Sequence, residues 1–191
     1  MTRNALAAWA CLLCLVLAGC AGPGPEMPFR PSREAIRAFS LEGRLSVKYG
    51  AESFAGALAW THIGARDEMI VATPLGQSLA ELVGHADGAH LETADKQRYS
   101  APDVETLSER VFGTRLPLRD MPSWIIGAPS VAAVRIDRDA VQRPQRIFEQ
   151  GWQIEYLAYE NERPDALPTL LHFQRGEIEV RLKIDSWSLA Q

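Results

Sequence analysis

From Phe39 to Tyr49 the odd positions are mostly apolar and the even ones polar. Phe39, Leu41, Leu45, Val47 and Tyr49 alternate with Ser40, Glu42, Arg44, Ser46 and Lys48. Successive side chains of a strand point to opposite faces, so this segment is predicted to be a strand with one buried face. Glu52 to Thr61 follows across a Gly50-Ala51 turn, with Phe54, Leu58 and Trp60 on one face. Gly56 on that face leaves room for a bulge or for a close neighbour. Met69 to Thr73 and Ser78 to Val83 read as a hairpin joined by Pro74-Leu75-Gly76. Ala89 to Thr93 and Lys96 to Ser100 read as a more polar hairpin through Ala94-Asp95.

Towards the middle of the chain the period lengthens. Val104, Leu107, Val111 and Phe112 share one face of a predicted helix that begins at Pro102, with Ser100 or Ala101 as its cap, and stops at Gly113. A second short helix is predicted from Asp120 to Ile126, ended by Gly127 and Pro129. Another, from Pro31 to Phe39 with Ser32 as cap, would place Ile36 and Phe39 on one side. Strands then return. Gln145 to Gln150 pairs with Trp152 to Tyr159 around Gly151, and Thr169 to Phe173 with Glu177 to Asp185 across Arg175-Gly176. In the last strand Ile178, Val180, Leu182 and Ile184 face one way, and Glu179, Arg181, Lys183 and Asp185 the other. The sum is about ten or eleven antiparallel strands with a helical insertion, in a single domain.

Two architectures fit. A sandwich needs two sheets, each greasy on its inner face. A single curved sheet needs the helices over its greasy face, and an interior so covered is either well packed or left open as a site for an apolar ligand.

The N-terminus departs from this pattern. Ala5 to Leu17 carries no charge, Arg3 precedes it, and Ala18-Gly19-Cys20 closes it. This is the order of a signal peptide, and its end resembles the lipobox of bacterial lipoproteins, in which Cys20 would be acylated and become the new N-terminus. An ordinary secretory signal cut near Ala21 and a spanning helix are the other readings, although a span needs roughly 20 apolar residues. Residues 1–19 are therefore expected to be removed, leaving 172 of 191. Residues 20–31 alternate Gly and Pro and are expected to form an extended tether. At about 3.1 Å per residue it reaches roughly 30 Å. Residues 32–191 are the folded body.

Composition narrows the function further. Cys11 and Cys14 leave with the signal and lipidation uses Cys20, so no thiol remains for a disulfide, a metal or catalysis. The net charge of −4 becomes −5 in the mature side chains once Arg3 is lost, which argues against nucleic acid as a partner. His62, His85, His90 and His172 show no metal-ligand spacing, and no nucleotide loop or nucleophile motif is present. His85 and His90 read as flanking a solvated turn. No cofactor is expected, and an enzyme is the weaker class. A lipid-anchored assembly protein with a packed β core and a protein-binding strand edge is the stronger rival.

Several segments together resemble the LolB family of outer-membrane lipoprotein receptors. They are Phe39-x-Leu-x-Gly-Arg-Leu-x-Val, Phe54-x-Gly-x-Leu-x-Trp60, Thr73-Pro-Leu-Gly76, Tyr99-x-Ala101 and Leu116-Pro-Leu118. Trp124-Ile-Ile-Gly-Ala-Pro129, Gly151-Trp-Gln-Ile-Glu-Tyr156 and Ile178-x-Val-x-Leu-x-Ile-Asp-Ser-Trp187 complete the set. The likeness runs from about Ala38 to Trp187 in ordered motifs, of which none is specific alone. Ser130 to Arg146 is hard to match.

The resemblance implies a half-open antiparallel β-barrel with a helical lid and a hydrophobic cavity. It implies that acylated lipoprotein cargo arrives from a LolA-like periplasmic carrier and leaves for the outer membrane. Ala21 after Cys20, where Asp would retain a lipoprotein at the inner membrane, implies an outer-membrane anchor facing the periplasm. Trp60, Trp124, Trp152 and Trp187 match family tryptophans and are expected cavity walls, with Tyr156 beside them. Leu107 and Phe112 are expected lid residues. For each of these, ordinary core packing is the alternative. Pro74-Leu75-Gly76 matches a short loop whose leucine protrudes and helps to insert cargo. Leu75 folding back onto the sheet is the alternative there. A single chain is expected to suffice.

Overall fold

The computed structural model describes residues 30–189. The expected signal segment, Cys20 and the tether up to Phe29 lie outside them.

Eleven strands form one antiparallel sheet. In chain order they are β1 (Ala38–Tyr49), β2 (Glu52–Ile63), β3 (Arg66–Ala72), β4 (Ser78–His85), β5 (Gly88–Thr93) and β6 (Arg98–Ala101), then β7 (Ala133–Arg138), β8 (Pro144–Glu149), β9 (Trp152–Tyr159), β10 (Pro168–Arg175) and β11 (Ile178–Leu189). Their spatial order is β6-β5-β4-β3-β2-β1-β11-β10-β9-β8-β7. Each half is a meander of hairpins, and the first strand zips to the last to join them. The two-sheet sandwich is thereby excluded. Two helices, α1 (Val104–Phe112) and α2 (Met121–Ile125), connect the halves and supply apolar residues against the sheet.

Alternation sets which face is buried. Phe39, Leu41, Leu58, Trp60, Leu171, Phe173, Leu182 and Ile184 join Trp124 and Ile125 of α2 in the main core. Leu82, Ala89 and Leu91 meet Leu107 of α1 and Leu118 in a second cluster. Gly56 opposes Leu45 in an unbroken register, so it marks no bulge there. A Cβ on it would lie 2.7 Å from the Ala72 carbonyl oxygen, so it accommodates a close neighbour.

The bulge sits elsewhere. Between β1 and β11 the register slips, with Glu42 opposite Ser186 but Gly43 opposite Ile184. The extra residue, Asp185, reverses the side-chain alternation of β11. Ile184 and Trp187 therefore share the inner face, three positions apart. Gly43 lies at this slip, and a Cβ there would overlap the Lys183 carbonyl oxygen, a backbone atom with nowhere to go. Gly43→Ala is expected to destabilise the fold by about 3 kcal/mol, the upper part of the usual range for overpacking. In a domain of this size that lowers the Tm by roughly 6–12 °C. Thermal denaturation checks this; an unchanged Tm would show that the slip relaxes freely.

Three expectations change. The Pro31–Phe39 helix shrinks to a 3-10 turn at Arg33–Ala35, with no cap bond from the Ser32 side chain. Phe39 is instead claimed by β1, where it pairs with His62 and Leu189. Helix α1 begins later than Pro102, because Ser100 and Ala101 are paired to β5. Its cap is Asp103, whose carboxylate accepts the Thr106 N–H at 2.6 Å. That bond holds the Asp103 carboxyl below its ordinary range. Gly113 ends α1 in the left-handed conformation, as predicted. Finally, β7 falls in the segment that was hard to match. It is an edge strand with exposed Val134 and a register that slips at both ends, so it lacks a clean period of two.

Acidic side chains mostly keep to the wet face, and among the described residues Glu149 is the most deeply buried exception. It is 1% exposed, and its carboxylate accepts from the Ser130 hydroxyl and the Ser130 N–H. This pair ties the loop after α2 to the end of β8.

Candidate functional site

A cavity of about 580 Å³ lies between the greasy face of the sheet and the helices. This is within the range of about 300–1,000 Å³ usual for small-ligand sites. Strands β1 to β3 contribute Leu45, Val47, Leu58, Trp60, Met69 and Val71. Leu82 and Leu91 extend the wall, and Phe173, Ile178, Val180 and Leu182 form its other side. Val111 and Phe112 of α1, Met121 and Trp124 of α2, and Trp152 at the start of β9 complete it. Glu52 is the only charged residue in this lining. Tyr49, Phe54 and Phe112 are large apolar lining residues that remain exposed, which places them at the rim. The interior is thus incompletely filled, against the packed core of the assembly-protein reading.

Local physics explains the opening. Residues near the turns of β1 and β2 are apolar on the inner face, yet α1 and α2 supply no buried cover for Tyr49 or Phe54. Core-forming residues crowd further along the same strands, where Phe39 packs edge-on against Trp60 and Trp187 and stacks on His62. There the Trp60 indole N–H donates to Asp67 Oδ1 at 2.8 Å, and His62 Nδ1 lies 2.8 Å from the same oxygen.

Of the expected wall residues, Trp60, Trp124, Trp152 and Phe112 come together around the cavity. Leu107, Tyr156 and Trp187 do not line it, and each has a different task. Leu107 is 1% exposed in the second cluster and bolts α1 to the sheet. Tyr156 donates its hydroxyl to the Trp124 carbonyl at 2.6 Å, which clamps α2 onto β9. Burial pushes that hydroxyl well above its ordinary value, so it keeps its proton for the bond. Trp187 packs on Phe39 and donates its N–H to the Pro168 carbonyl at 2.8 Å. Sequence reasoning missed Met69, Val71, Leu82 and Val180. Their parity was legible, but nothing local distinguishes a wall from a core.

The Pro74-Leu75-Gly76 loop stands apart. Leu75 is 90% exposed, so it does not fold back onto the sheet. Gly76 takes φ +82°, a left-handed conformation that side chains resist. Its N–H donates to the Thr73 carbonyl at 2.9 Å, and the Thr73 N–H donates to the Gln77 carbonyl at 2.8 Å. The tip is therefore a short, closed turn that presents one leucine to its surroundings.

A second, polar pocket of about 380 Å³ includes Asp139, Arg143 and Tyr159. Its charges are spent internally: Arg143 bonds Asp139 and the Asn161 carbonyl and lies 4.3 Å from the centre of the Tyr159 ring. The His85 and His90 ring centres lie 6.3 Å apart, and Arg66 Nη1 lies 3.1 Å from His85 Nδ1. Among the described residues no group of three His, Cys, Asp or Glu side chains is placed to hold a metal.

A sequence model of the family described as "Outer membrane lipoprotein LolB" matches residues 37–187, nearly the whole body. The chain belongs to the LolB family. Outer-membrane lipoprotein LolB of Azoarcus sp. (strain BH72) is 40% identical over 189 residues, covering 99% of this chain and 98% of that one. LolB of Dechloromonas aromatica (strain RCB) is 39% identical, covering 90% and 92%. Among solved structures, a LolA superfamily protein from Nitrosomonas europaea shares the fold with a TM-score of 0.52 at 9% identity, covering 82% of this chain and 88% of that one. A DUF1329 family protein from Desulfovibrio piger does so with a TM-score of 0.55 at 7% identity, covering 82% and 87%. The half-open LolB barrel expected from the sequence is thus an open sheet of eleven strands, with helices over part of its inner face.

Proposed function

We propose that this LolB family member accepts acylated lipoproteins from a LolA-like periplasmic carrier and inserts them into the outer membrane. The acyl chains of the cargo enter the cavity between the sheet and the two helices, and one chain of this protein provides the whole site. Cys20, acylated after loss of residues 1–19, holds the body beside the outer membrane through the tether. No cofactor or catalytic group takes part.

The observation that carries this reading is the open, almost uncharged cavity in a chain of the LolB family. Physical necessity supports it. Each CH₂ of an acyl chain exposed to water costs about 0.8 kcal/mol, so cargo must pass from one apolar surface to another. Direction then comes from affinity, with the carrier weaker than this receptor and the receptor weaker than the bilayer. Leu75, outside the cavity and fully presented, is the contact with the bilayer at release.

A transfer assay tests the proposal. Acylated lipoprotein bound to its carrier is mixed with this protein and then with liposomes. Cargo is expected to move first to this protein and then to the liposomes. Cargo that stays on the carrier would reject the receptor role.

A further inference from the structure

Leu75, Val131 and Val134 are the most exposed large apolar side chains among the described residues, the least of them 88% exposed. They are far apart in the sheet order, Leu75 after β3 and the two valines at the edge strand β7. They nevertheless share one end of the sheet. Strand pairings carry Arg135, next to Val134, across to Gln153, Glu179 and Ser53. Leu75 lies three residues beyond Ala72, which pairs with Ala57, in the direction of Ser53. Tyr49 and Phe54 of the cavity rim are at the same end, on strands that lie between β3 and β7. The valine turn is built as firmly as the leucine turn. The Ala133 N–H donates to the Ser130 carbonyl at 3.2 Å, and the Ala132 N–H to the Ser130 hydroxyl at 3.0 Å. Both oxygens of the buried Glu149 carboxylate accept from Ser130. Taking a carboxylate out of water is costly, and here it holds in place a surface turn whose outermost side chain is a valine.

We propose that the turn from Ser130 to Val134 is a second contact with the bilayer, placed across the cavity rim from Leu75. The inference rests on the reading of Leu75 as the bilayer contact at release. The chemistry of the patch selects lipid. No residue from Ser130 to Val134 carries a charge. Arg135, the next residue, is engaged by Asp137 and lies over the Phe148 ring, so the turn offers hydrocarbon rather than charge. Two valines and two alanines also fall far short of the roughly 800 Å² that each partner of a stable protein interface buries. Small apolar tips suit shallow insertion among lipid chains, where each contributes modestly. On Leu75 alone the body would pivot about one point. With contacts on both sides of Tyr49 and Phe54 the rim is held facing the lipid, and acyl chains leave the cavity without crossing water.

The mature, anchored protein in phosphatidylcholine vesicles tests this. With Cys20 acylated, a thiol-reactive fluorophore reports only on an introduced cysteine. Val131→Cys and Leu75→Cys are compared with Ile63→Cys, an exposed control at the other end of the sheet. Brominated phosphatidylcholine should quench the Val131→Cys and Leu75→Cys labels and spare the Ile63→Cys label. The pattern should be the same in low and high salt, because the contact is hydrocarbon. Quenching of the Leu75→Cys label without the Val131→Cys label overturns the second contact and leaves the Leu75 reading standing. Quenching of neither overturns both. A Val131→Glu/Val134→Glu chain preloaded with cargo should deliver it about tenfold more slowly, equivalent to about 1.4 kcal/mol, and should load at the ordinary rate. Val131→Leu/Val134→Leu should deliver as the parent does. Ordinary delivery by the glutamate variant overturns the proposal. A loading defect, or a change in sedimentation, also overturns it and assigns the turn to the carrier or to a second copy. Both valines are exposed, so these substitutions should leave the fold intact, and thermal melting checks that.

Discussion

A Leu75→Glu chain is expected to load cargo normally and to deliver it slowly. In the proposed mechanism loading depends on the cavity, and none of Pro74, Leu75 and Gly76 lines it. Delivery is a different step, in which the acyl chains must leave an apolar wall for a bilayer. Leu75 is 90% exposed at the tip of a turn closed by the hydrogen bonds between Thr73, Gly76 and Gln77. Burying one leucine in hydrocarbon contributes about 1.5–3 kcal/mol. That is far too little to anchor the protein, but enough to hold the tip against lipid while chains cross. A glutamate cannot make that contact, and losing it corresponds to a slowing of about tenfold to a hundredfold at 1.4 kcal/mol per decade. The measurement is cargo transfer to liposomes from preloaded protein. Cargo should accumulate on the variant. Delivery at the ordinary rate would remove Leu75 from the mechanism. Stability should change little, since the residue touches no core.

A Val71→Glu chain is expected to show the reverse defect, failing at loading. Val71 lies on β3 opposite Leu58 and Ala80, is half-buried, and faces the cavity. A carboxylate there either stays charged and holds water in the cavity or takes a proton to become neutral. Either way the wall loses affinity for a hydrocarbon chain. Uptake of a fluorescent fatty acid should weaken by at least about tenfold, since one buried aliphatic side chain already carries more than 1.4 kcal/mol. Val71→Leu keeps the wall apolar and should bind as the parent does. Displacement titrations of the three chains decide the matter, with thermal melting to confirm that each is folded. Unimpaired uptake by Val71→Glu would place the acyl chains outside this cavity. Together the two substitutions separate filling the cavity from emptying it.

The candidate site was legible in the sequence unevenly, for reasons that particular residues make plain. The turn at Pro74-Leu75-Gly76 was readable because turn chemistry is local: Gly76 supplies a positive φ, and the leucine has no strand to belong to. Trp60 and Trp152 were readable as inward-facing because strand parity is local too. Trp187 was not, because the bulge opposite Gly43 reverses the parity of β11, and a bulge depends on its partner strand. Tyr156 has the right parity and the wrong task. Its hydroxyl finds the Trp124 carbonyl, a contact across 32 positions that no window of sequence contains. Asp103 displaced Ser100 and Ala101 as the helix cap because β5 had already taken those two into the sheet.

The chain by itself determined the strands other than β7, their hairpin turns, the existence of two mid-chain helices and the ordered motifs of the family. All of these depend on neighbours within a few residues, where alternation, turn residues and capping act. Tertiary structure decided that β1 closes on β11 to make one sheet, and which greasy side chains are core and which are wall. It also decided that the Trp60 and Trp187 indole N–H groups find their acceptors on Asp67 and the Pro168 carbonyl. These depend on volumes and acceptors contributed by segments far apart in the chain. A period of two reports the face a side chain occupies, and only the assembled sheet and helices report whether that face is filled.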